Sequence, residues 1–529
     1  MHKKLTWAPP KSVDLWLLFA MIVFFYLLLF KLPFFPFYSD GDQLIFLYNA
    51  DRMMHGERMY ADFFQFTFPG GQVLYFLLFT IFGTKFWLLP FAILLMGAAT
   101  FWSLLRVSKL TIPHPYCYLP PVLLIFFGAR WWGLDGSHRT FSSLFVLLAI
   151  LVLLKGQSLG RLAAAGGLCA LASYFTQQRG FVALAAIAVF IFIDNCYRGW
   201  KWPRAIAELG VLSSAFLFLL AALCSYFIVT SGLEVFIYDT LVYPALYYRF
   251  HEQNNYGAFL IYLQQAFDQT GPGWAFAIIP SLFYAFGVPL SAIVFAVVFW
   301  RERKFHNWDY WRAPVLIALV AGFSIAATTN PNYSRYYLLS APSLVLLAWL
   351  LARFDLFGKH KHRVVTGLTA ALLLFGAFQC YRIQTNWDYL EIDAPRGKVY
   401  ALNTDQMHVY PWLLEHTEPR EPVFEVYDPF IYFLLDLRNP ARIGQLFPSD
   451  LTRPEFVTGT VEDLKRDPPR YILWNNSYTK PDTEREPGDH IGPLADYLQA
   501  EYAPASPVYK SGETSVQIWE RKPAAINTQ

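Results

Sequence analysis

Eleven apolar runs dominate this chain. They lie near residues 13–30, 86–105, 117–132, 141–154, 162–176, 181–194, 208–230, 274–300, 314–329, 338–354 and 364–380. Crossing the hydrocarbon core takes about 20 apolar residues as a helix. With no water there to satisfy backbone groups, only helices and closed barrels can cross. The runs therefore predict a polytopic α-helical membrane protein with about eleven spans. Composition agrees: of 529 residues, 55% are hydrophobic, 19% aromatic and only 15% charged, outside the range of soluble chains. A formal net charge of +3 gives no basic surface for nucleic acid, and no nucleic-acid partner is expected.

The first run follows Lys3, Lys4 and Lys11 and ends in KLPFFPF, without a small-residue cleavage site; it reads as an uncleaved first span. The run 73–82 would cover only about 15 Å as a helix, so it is expected to lie at the surface. With eleven spans and a cytoplasmic N-terminus, the basic groups Lys3/Lys4/Lys11, Arg106/Lys109, Lys155/Arg161, Arg198/Lys201/Arg204, Arg301/Arg303/Lys304 and Lys359/Lys361/Arg363 all fall on one side. This is the distribution that the positive-inside rule requires. Four segments then share the outer face: 31–85, GLDGSHR (133–139), 231–273 and the tail from about 381. Residues 1–380 thus read as a membrane domain. Residues 381–529 read as a small extracytoplasmic α/β domain, because PVFEVY (422–427), RYILWN (470–475) and SVQIWER (515–521) alternate with helix-like MHVYPWLLEHT, VEDLKRD and PLADYLQAEY. The cysteines Cys117, Cys169, Cys196, Cys224 and Cys380 sit in or beside apolar runs; they read as small core residues, with no disulfide framework.

The first outer segment concentrates acid: Asp40, Asp42, Asp51, Glu57 and Asp62 follow one another beside a membrane. Intramembrane and juxtamembrane carboxylates are costly unless they meet water, a partner or a substrate. A short helix starting at Asp42 and stopping at Gly56 would hold Asp42 at its outer end. There a carboxylate can take a proton as general base or hold a divalent cation through oxygen. It can equally cap the helix, a common task for Asp, and Asp40 competes for both roles. Asp135, in the Asp-Gly turn of GLDGSHR, falls on the same face with His138 and Arg139 behind it. Two carboxylates, an imidazole and a guanidinium suit a metal or an oriented phosphate, and Asp42 with Asp135 would be the metal ligands.

Cations on the outer face run against the charge rule. Arg179 in FTQQRG, Arg249 with His251 in YYRFHEQNN, and Arg335 in NPNYSRYYLLSAP are therefore candidates for binding phosphate through a planar fork of donors; snorkelling to headgroups is the plainer use. FFQFTFPGG (63–71) and the aromatic spans could line a greasy groove, although an interfacial aromatic belt explains most of these rings. The chain carries no Walker A loop, no GxGxxG after a strand, no HExxH, no GxSxG and no paired CxxC. This argues against a nucleotide-driven pump, a dehydrogenase, a zinc protease and a serine hydrolase.

The order of these features resembles the GT-C superfamily of membrane glycosyltransferases, in its protein-mannosyltransferase-like and lipid A aminoarabinose transferase-like bacterial branch. The residues that carry the resemblance are Asp42-Gln43, Ala50, Gly56, Tyr60, Asp62 and Pro69 in the first outer segment, then Asp135, then Arg335, Tyr336 and Pro342 near a late span. The family often has Glu where this chain has Gln43. The resemblance covers about residues 10–380. It implies a transferase that moves a hexosyl or pentosyl group from a polyprenyl-phosphate donor to a hydroxyl on a lipid, glycan or protein. Asp42 would be the base, and Arg335, with Arg179 or Arg249, would hold the departing lipid phosphate. Tyr336, His138, Tyr60 and Asp62 would be further substrate contacts. No nucleotide is implied; a divalent cation is the cofactor to look for. Such an enzyme would reside in a bacterial inner membrane. A transporter or flippase of lipid-linked sugars is the alternative; it predicts internal repeats and charged, broken helices near the midplane. A non-catalytic assembly protein would not need Asp42.

Overall fold

The computed structural model of the protein describes residues 12–133, 135–248, 264, 274–302, 307–328, 333–385, 387–427, 429–446, 451–479, 490–511 and 514–523. Over its described residues, each of the eleven apolar runs lies largely on helix. Among the described residues eight helices are long and apolar enough to cross a membrane unaided. The helices Tyr116–Gly128, His138–Leu154 and Leu159–Phe175 are shorter and pack among them. Small residues let these helices approach closely, as is usual where lipid supplies no hydrophobic drive. A Cβ on Gly166 would sit 2.2 Å from the Leu212 carbonyl oxygen, and one on Gly180 would sit 2.0 Å from that of Cys169. One end of the bundle is tied by buried ions. Asp14 takes Lys109, with the Tyr118 hydroxyl at 3.2 Å, and Asp194 takes Trp308 Nε1 at 2.8 Å and Arg312 Nε at 3.0 Å.

The opposite end carries the first loop segment and the C-terminal region. The segment opens with a short antiparallel pairing of Phe30–Lys31 with Phe35–Pro36. The helix Asp42–Met54 follows, closed by Gly56 at φ +87°, as the Gly signal predicts. The 73–82 run is the body of a second helix, Gly70–Phe82, packed on the first. Its Leu77, Ile81 and Phe82 are exposed.

The last membrane helix continues to Thr385, past the expected boundary at 380. Beyond it, the hairpin Tyr389–Ala394 with Gly397–Leu402 reaches back to the first loop, where Tyr38 N–H donates to the Tyr400 carbonyl at 2.8 Å. A four-stranded sheet follows. Val423–Glu425 runs parallel to Tyr471–Asn475, which is antiparallel to Thr514–Arg521, itself antiparallel to Tyr502–Ser511. The helices Val409–His416, Pro454–Arg466 and Gly492–Glu501 accompany it. The three strands and three helices expected from the tail are all present. The hairpin and the strand 502–511 escaped sequence reasoning, because Asp, Glu, Pro and Lys interrupt their alternation.

The C-terminal region is not a separate bead on a linker. Its Val399, Leu413, Leu434 and Leu473 belong to the same apolar core as the membrane helices. Ion pairs add to this docking. Asp51, 1% exposed at its side chain, meets Arg396 at 2.8 Å and Arg420 at 3.1 Å, and Arg396 also reaches Asp436 at 2.6 Å.

Candidate active site

Two cavities open at the end of the bundle covered by the C-terminal region. The larger, about 640 Å³, lies between one face of the Asp42–Met54 helix and the segments around Phe64–Thr67, Gln177–Val182, Thr240–Tyr248 and Ser324–Thr328. Pro429, Gly444, Gln445 and Leu451 of the C-terminal region close its far end. The smaller, about 620 Å³, is bounded by Leu28, Leu89, Ile93, Leu338 and Ile383 from membrane helices, and by Ser39, Asp40 and Asp135. Three residues line both: Asp42, Arg139 and Arg335.

Asp42 is the first residue of its helix, behind Gly41 at φ +124°. Its carboxylate makes an ion pair with Arg139 Nη1. Arg139 is placed by the first turn of the His138–Leu154 helix, and its carbonyl is held by Arg179 Nη1 at 2.8 Å and by the Ser142 and Ser143 hydroxyls, both at 2.9 Å. Burial tends to raise the Asp42 carboxyl. The Arg139 guanidinium beside it, with His138 behind, outweighs this and holds it below the usual carboxylate value. Asp42 therefore stays ionised at neutral pH while keeping about two-fifths of its side chain exposed to the cavities (43%).

Asp40 stands at the smaller cavity alone, and loss of surrounding water raises its carboxyl. Asp135 spends both oxygens locally: Oδ1 accepts from Ser137 N–H at 2.8 Å and Oδ2 from Ser137 Oγ at 2.6 Å. It thus holds Ser137, the residue at the entry to the 138–154 helix, and burial, together with Asp42 nearby, raises its carboxyl. His138 lines the larger cavity, stacks on Phe46 at 5.3 Å and has Nδ1 at 2.9 Å from the Thr176 hydroxyl. Arg179 also lines the larger cavity. Asp42, Asp40, Asp135, His138, Arg179 and Arg335 are thus brought together, from four separate stretches of sequence.

Three candidates are placed elsewhere. Tyr60 is fully buried, and its hydroxyl donates to the Thr67 carbonyl at 2.7 Å, which folds the 60–67 loop on itself. Asp62 is occupied by Arg58, through Nη2 at 2.9 Å and the backbone N–H at 2.7 Å. Tyr336 is buried and lines neither cavity. Arg249 and His251 lie outside the described residues. The acidic cluster also divides. Asp51 holds the C-terminal region, Glu57 pairs with Arg52 at 2.6 Å and Asp62 pairs with Arg58, so only Asp40 and Asp42 reach a cavity. Phe64 and Phe66 line the larger cavity, as the aromatic stretch suggested, but Phe63 and Phe68 are buried.

Sequence reasoning missed the amides Asn49, Gln65, Gln177 and Gln178 and the aromatic Tyr248, all in the larger cavity. Nothing local marks an amide as functional. The donor set also suits a divalent cation poorly. Asp42 is neutralised by Arg139, both Asp135 oxygens accept from Ser137, and no group of three His, Cys, Asp or Glu side chains with metal-holding geometry occurs among the described residues. Hard cations such as Ca²⁺ or Mg²⁺ want several free oxygens, which this arrangement does not offer.

No family model and no curated protein matches the chain. Solved structures do. ArnT from Cupriavidus metallidurans, bound to undecaprenyl phosphate, superposes with a TM-score of 0.58 over 96% of this chain and 98% of its own, at 11% identity. The Archaeoglobus fulgidus oligosaccharyltransferase tethered to an acceptor peptide gives 0.50 over 97% of this chain and 74% of its own, at 13% identity. At these identities the likeness is one of fold: the chain shares the overall architecture of these two membrane proteins.

Proposed function

We propose that this integral membrane protein is a glycosyltransferase that moves a sugar from a polyprenyl-phosphate donor to an acceptor hydroxyl. The observation that carries the reading is the junction: two cavities meet at one carboxylate and two guanidiniums. A two-substrate displacement needs separate approaches to one reacting carbon, a proton acceptor on one side and anion stabilisation on the other.

The larger cavity presents Arg139, Arg179 and Arg335, and is the place for the lipid phosphate. The smaller one adds Asp40 and Asp135 to Asp42 and suits a hydroxyl. Asp42 takes the proton from the acceptor hydroxyl as its oxygen attacks the anomeric carbon, and the bond from that carbon to the phosphate oxygen breaks. Charge then grows on the phosphate, where fixed guanidiniums stabilise it. Arg139, drawn towards the phosphate, relaxes its hold on Asp42 and leaves it a better base. Asp40 is the nearest substitute base. The fold of ArnT, solved with undecaprenyl phosphate, is consistent with a polyprenyl phosphate here; the acceptor is a lipid, glycan or protein hydroxyl. We assign the enzyme to a bacterial inner membrane, with the cavities and the C-terminal region outside, because the strongly basic short loops then all face the cytoplasm.

The test is transfer by purified protein in lipid, with a radiolabelled polyprenyl-phosphate-sugar pool, for wild type and Asp42→Asn. Consumption that collapses in folded Asp42→Asn supports the base. Equal consumption moves the base to Asp40 or Asp135. Label that crosses the bilayer unconsumed favours a flippase.

A further inference from the structure

The residue beside Asp42 makes two contacts that a different side chain would not. Gln43 is 3% exposed. Its Oε1 accepts from the Gly136 N–H at 2.8 Å, and its Nε2 donates to the Ser39 carbonyl at 2.9 Å. Only an amide of this length does both: a carboxylate would accept from Gly136 but set its second oxygen against a carbonyl.

Gly136 is held from its other side too. Its carbonyl accepts from the Tyr75 hydroxyl at 2.7 Å, and Tyr75 is fully buried. A Cβ at 136 would come within 2.4 Å of Leu89 Cδ1 and 2.7 Å of the Tyr75 oxygen, so a larger residue there would displace the Tyr75 hydroxyl. Gln43 and Tyr75 thus fix both backbone polar groups of Gly136, two residues before the start of the His138–Leu154 helix. Arg139 is in the first turn of that helix, and Asp42 is the immediate neighbour of Gln43.

We infer that Gln43 is the positioning residue of this site: its amide joins the loop that launches Arg139 to the helix end that carries Asp42, and so sets the guanidinium on the carboxylate. The inference rests on the proposed role of Asp42 for its functional meaning, but its geometry does not. The charged groups lining the two cavities around Asp42 are Asp40, Asp135, Arg52, Arg139, Arg179 and Arg335, with the His138 imidazole beside them. Of these, Arg139 and Asp135 move if the 135–137 loop is released.

The experiment uses the full chain in lipid nanodiscs, as wild type, Gln43→Met and Tyr75→Phe. Carbodiimide modifies only protonated carboxyls, so modification of Asp42 against pH, read by peptide mass without substrate, reports how Arg139 holds it. The expected result is a modification midpoint moved to higher pH in Gln43→Met, with a smaller shift of the same sign in Tyr75→Phe. Transfer should fall roughly 10–100-fold in kcat, as small misplacements of reacting groups do, with KM for the lipid donor little changed. A folded Gln43→Met with the wild-type midpoint and kcat overturns the inference and leaves the residue a packing amide. If Gln43→Met fails to fold, Tyr75→Phe decides by the same midpoint. A shifted midpoint with no transfer even by wild type keeps the positioning role and removes the proposed reaction instead.

Discussion

Asp51 and Asp62 are eleven residues apart in one acidic loop, yet the structure predicts opposite outcomes for their removal. Asp51 is 1% exposed and holds Arg396 at 2.8 Å and Arg420 at 3.1 Å. At an effective dielectric of 20, one such contact is worth about 6 kcal/mol of gross attraction, most of it cancelled by the desolvation of both ions. Truncating one partner of a buried pair costs about 3–5 kcal/mol, because the other charge stays buried and uncompensated. Arg396 keeps Asp436 at 2.6 Å, which puts Asp51→Ala at the lower end, about 3 kcal/mol. At about 2–4 °C per kcal/mol for a unit of this size, melting in detergent should fall by roughly 6–12 °C. Trypsin should also release the C-terminal region sooner, because Arg396 and Arg420 belong to it. Asp62→Ala should leave both readouts unmoved, since its partner Arg58 is largely exposed, with 57% of its side chain accessible. Equal shifts for the two variants would refute the argument that Asp51 docks the C-terminal region.

Three further outcomes are expected. Arg139→Met should lower kcat by about 10²–10³-fold, the usual effect of losing one donor to developing negative charge. Wild-type activity should persist in acid until pH falls through the depressed Asp42 value, and without Arg139 that limb should move to higher pH; an unmoved limb would separate Arg139 from the base. Asp239 is buried, and burial raises its carboxyl to about 7 despite Arg442 at 3.2 Å. The folded state then binds this proton more tightly than the unfolded chain does. The stability it contributes is full below the ordinary carboxylate value and is lost as pH rises through about 7. Melting temperature should fall between pH 5 and 8 in wild type and flatten in Asp239→Asn; the same slope in both would show that another group titrates. Transfer should survive prolonged chelation, and a loss restored by Mg²⁺ or Mn²⁺ would show that the carboxylates rearrange to hold a cation when substrate is bound.

The membrane architecture was legible because its cause is local. A run such as 208–230 has one stable state in lipid, a helix, whatever its neighbours do. The helix from Asp42 to its Gly56 stop was equally readable, since a cap and a left-handed glycine act within a few residues. Roles that depend on partners far along the chain were not readable. Tyr60 and Asp62 sit in a suggestive pattern, but one is consumed by Thr67 and the other by Arg58. Asp51 looked like Asp42 until Arg396 and Arg420 arrived from hundreds of residues away.

Read linearly, hydropathy shows an integral membrane chain and where its apolar helices fall, and charge marks the segments whose carboxylates and guanidiniums gather at one end of the bundle. Hydropathy and charge act residue by residue, and so they survive in a linear reading. The packed fold settles which carboxylate faces a cavity, which is neutralised by a distant arginine, and that a single amide, Gln43, spans from the helix of Asp42 to the loop before Arg139. Those choices are made by distances between segments, and a side chain meets its partner only after the helices between them have packed.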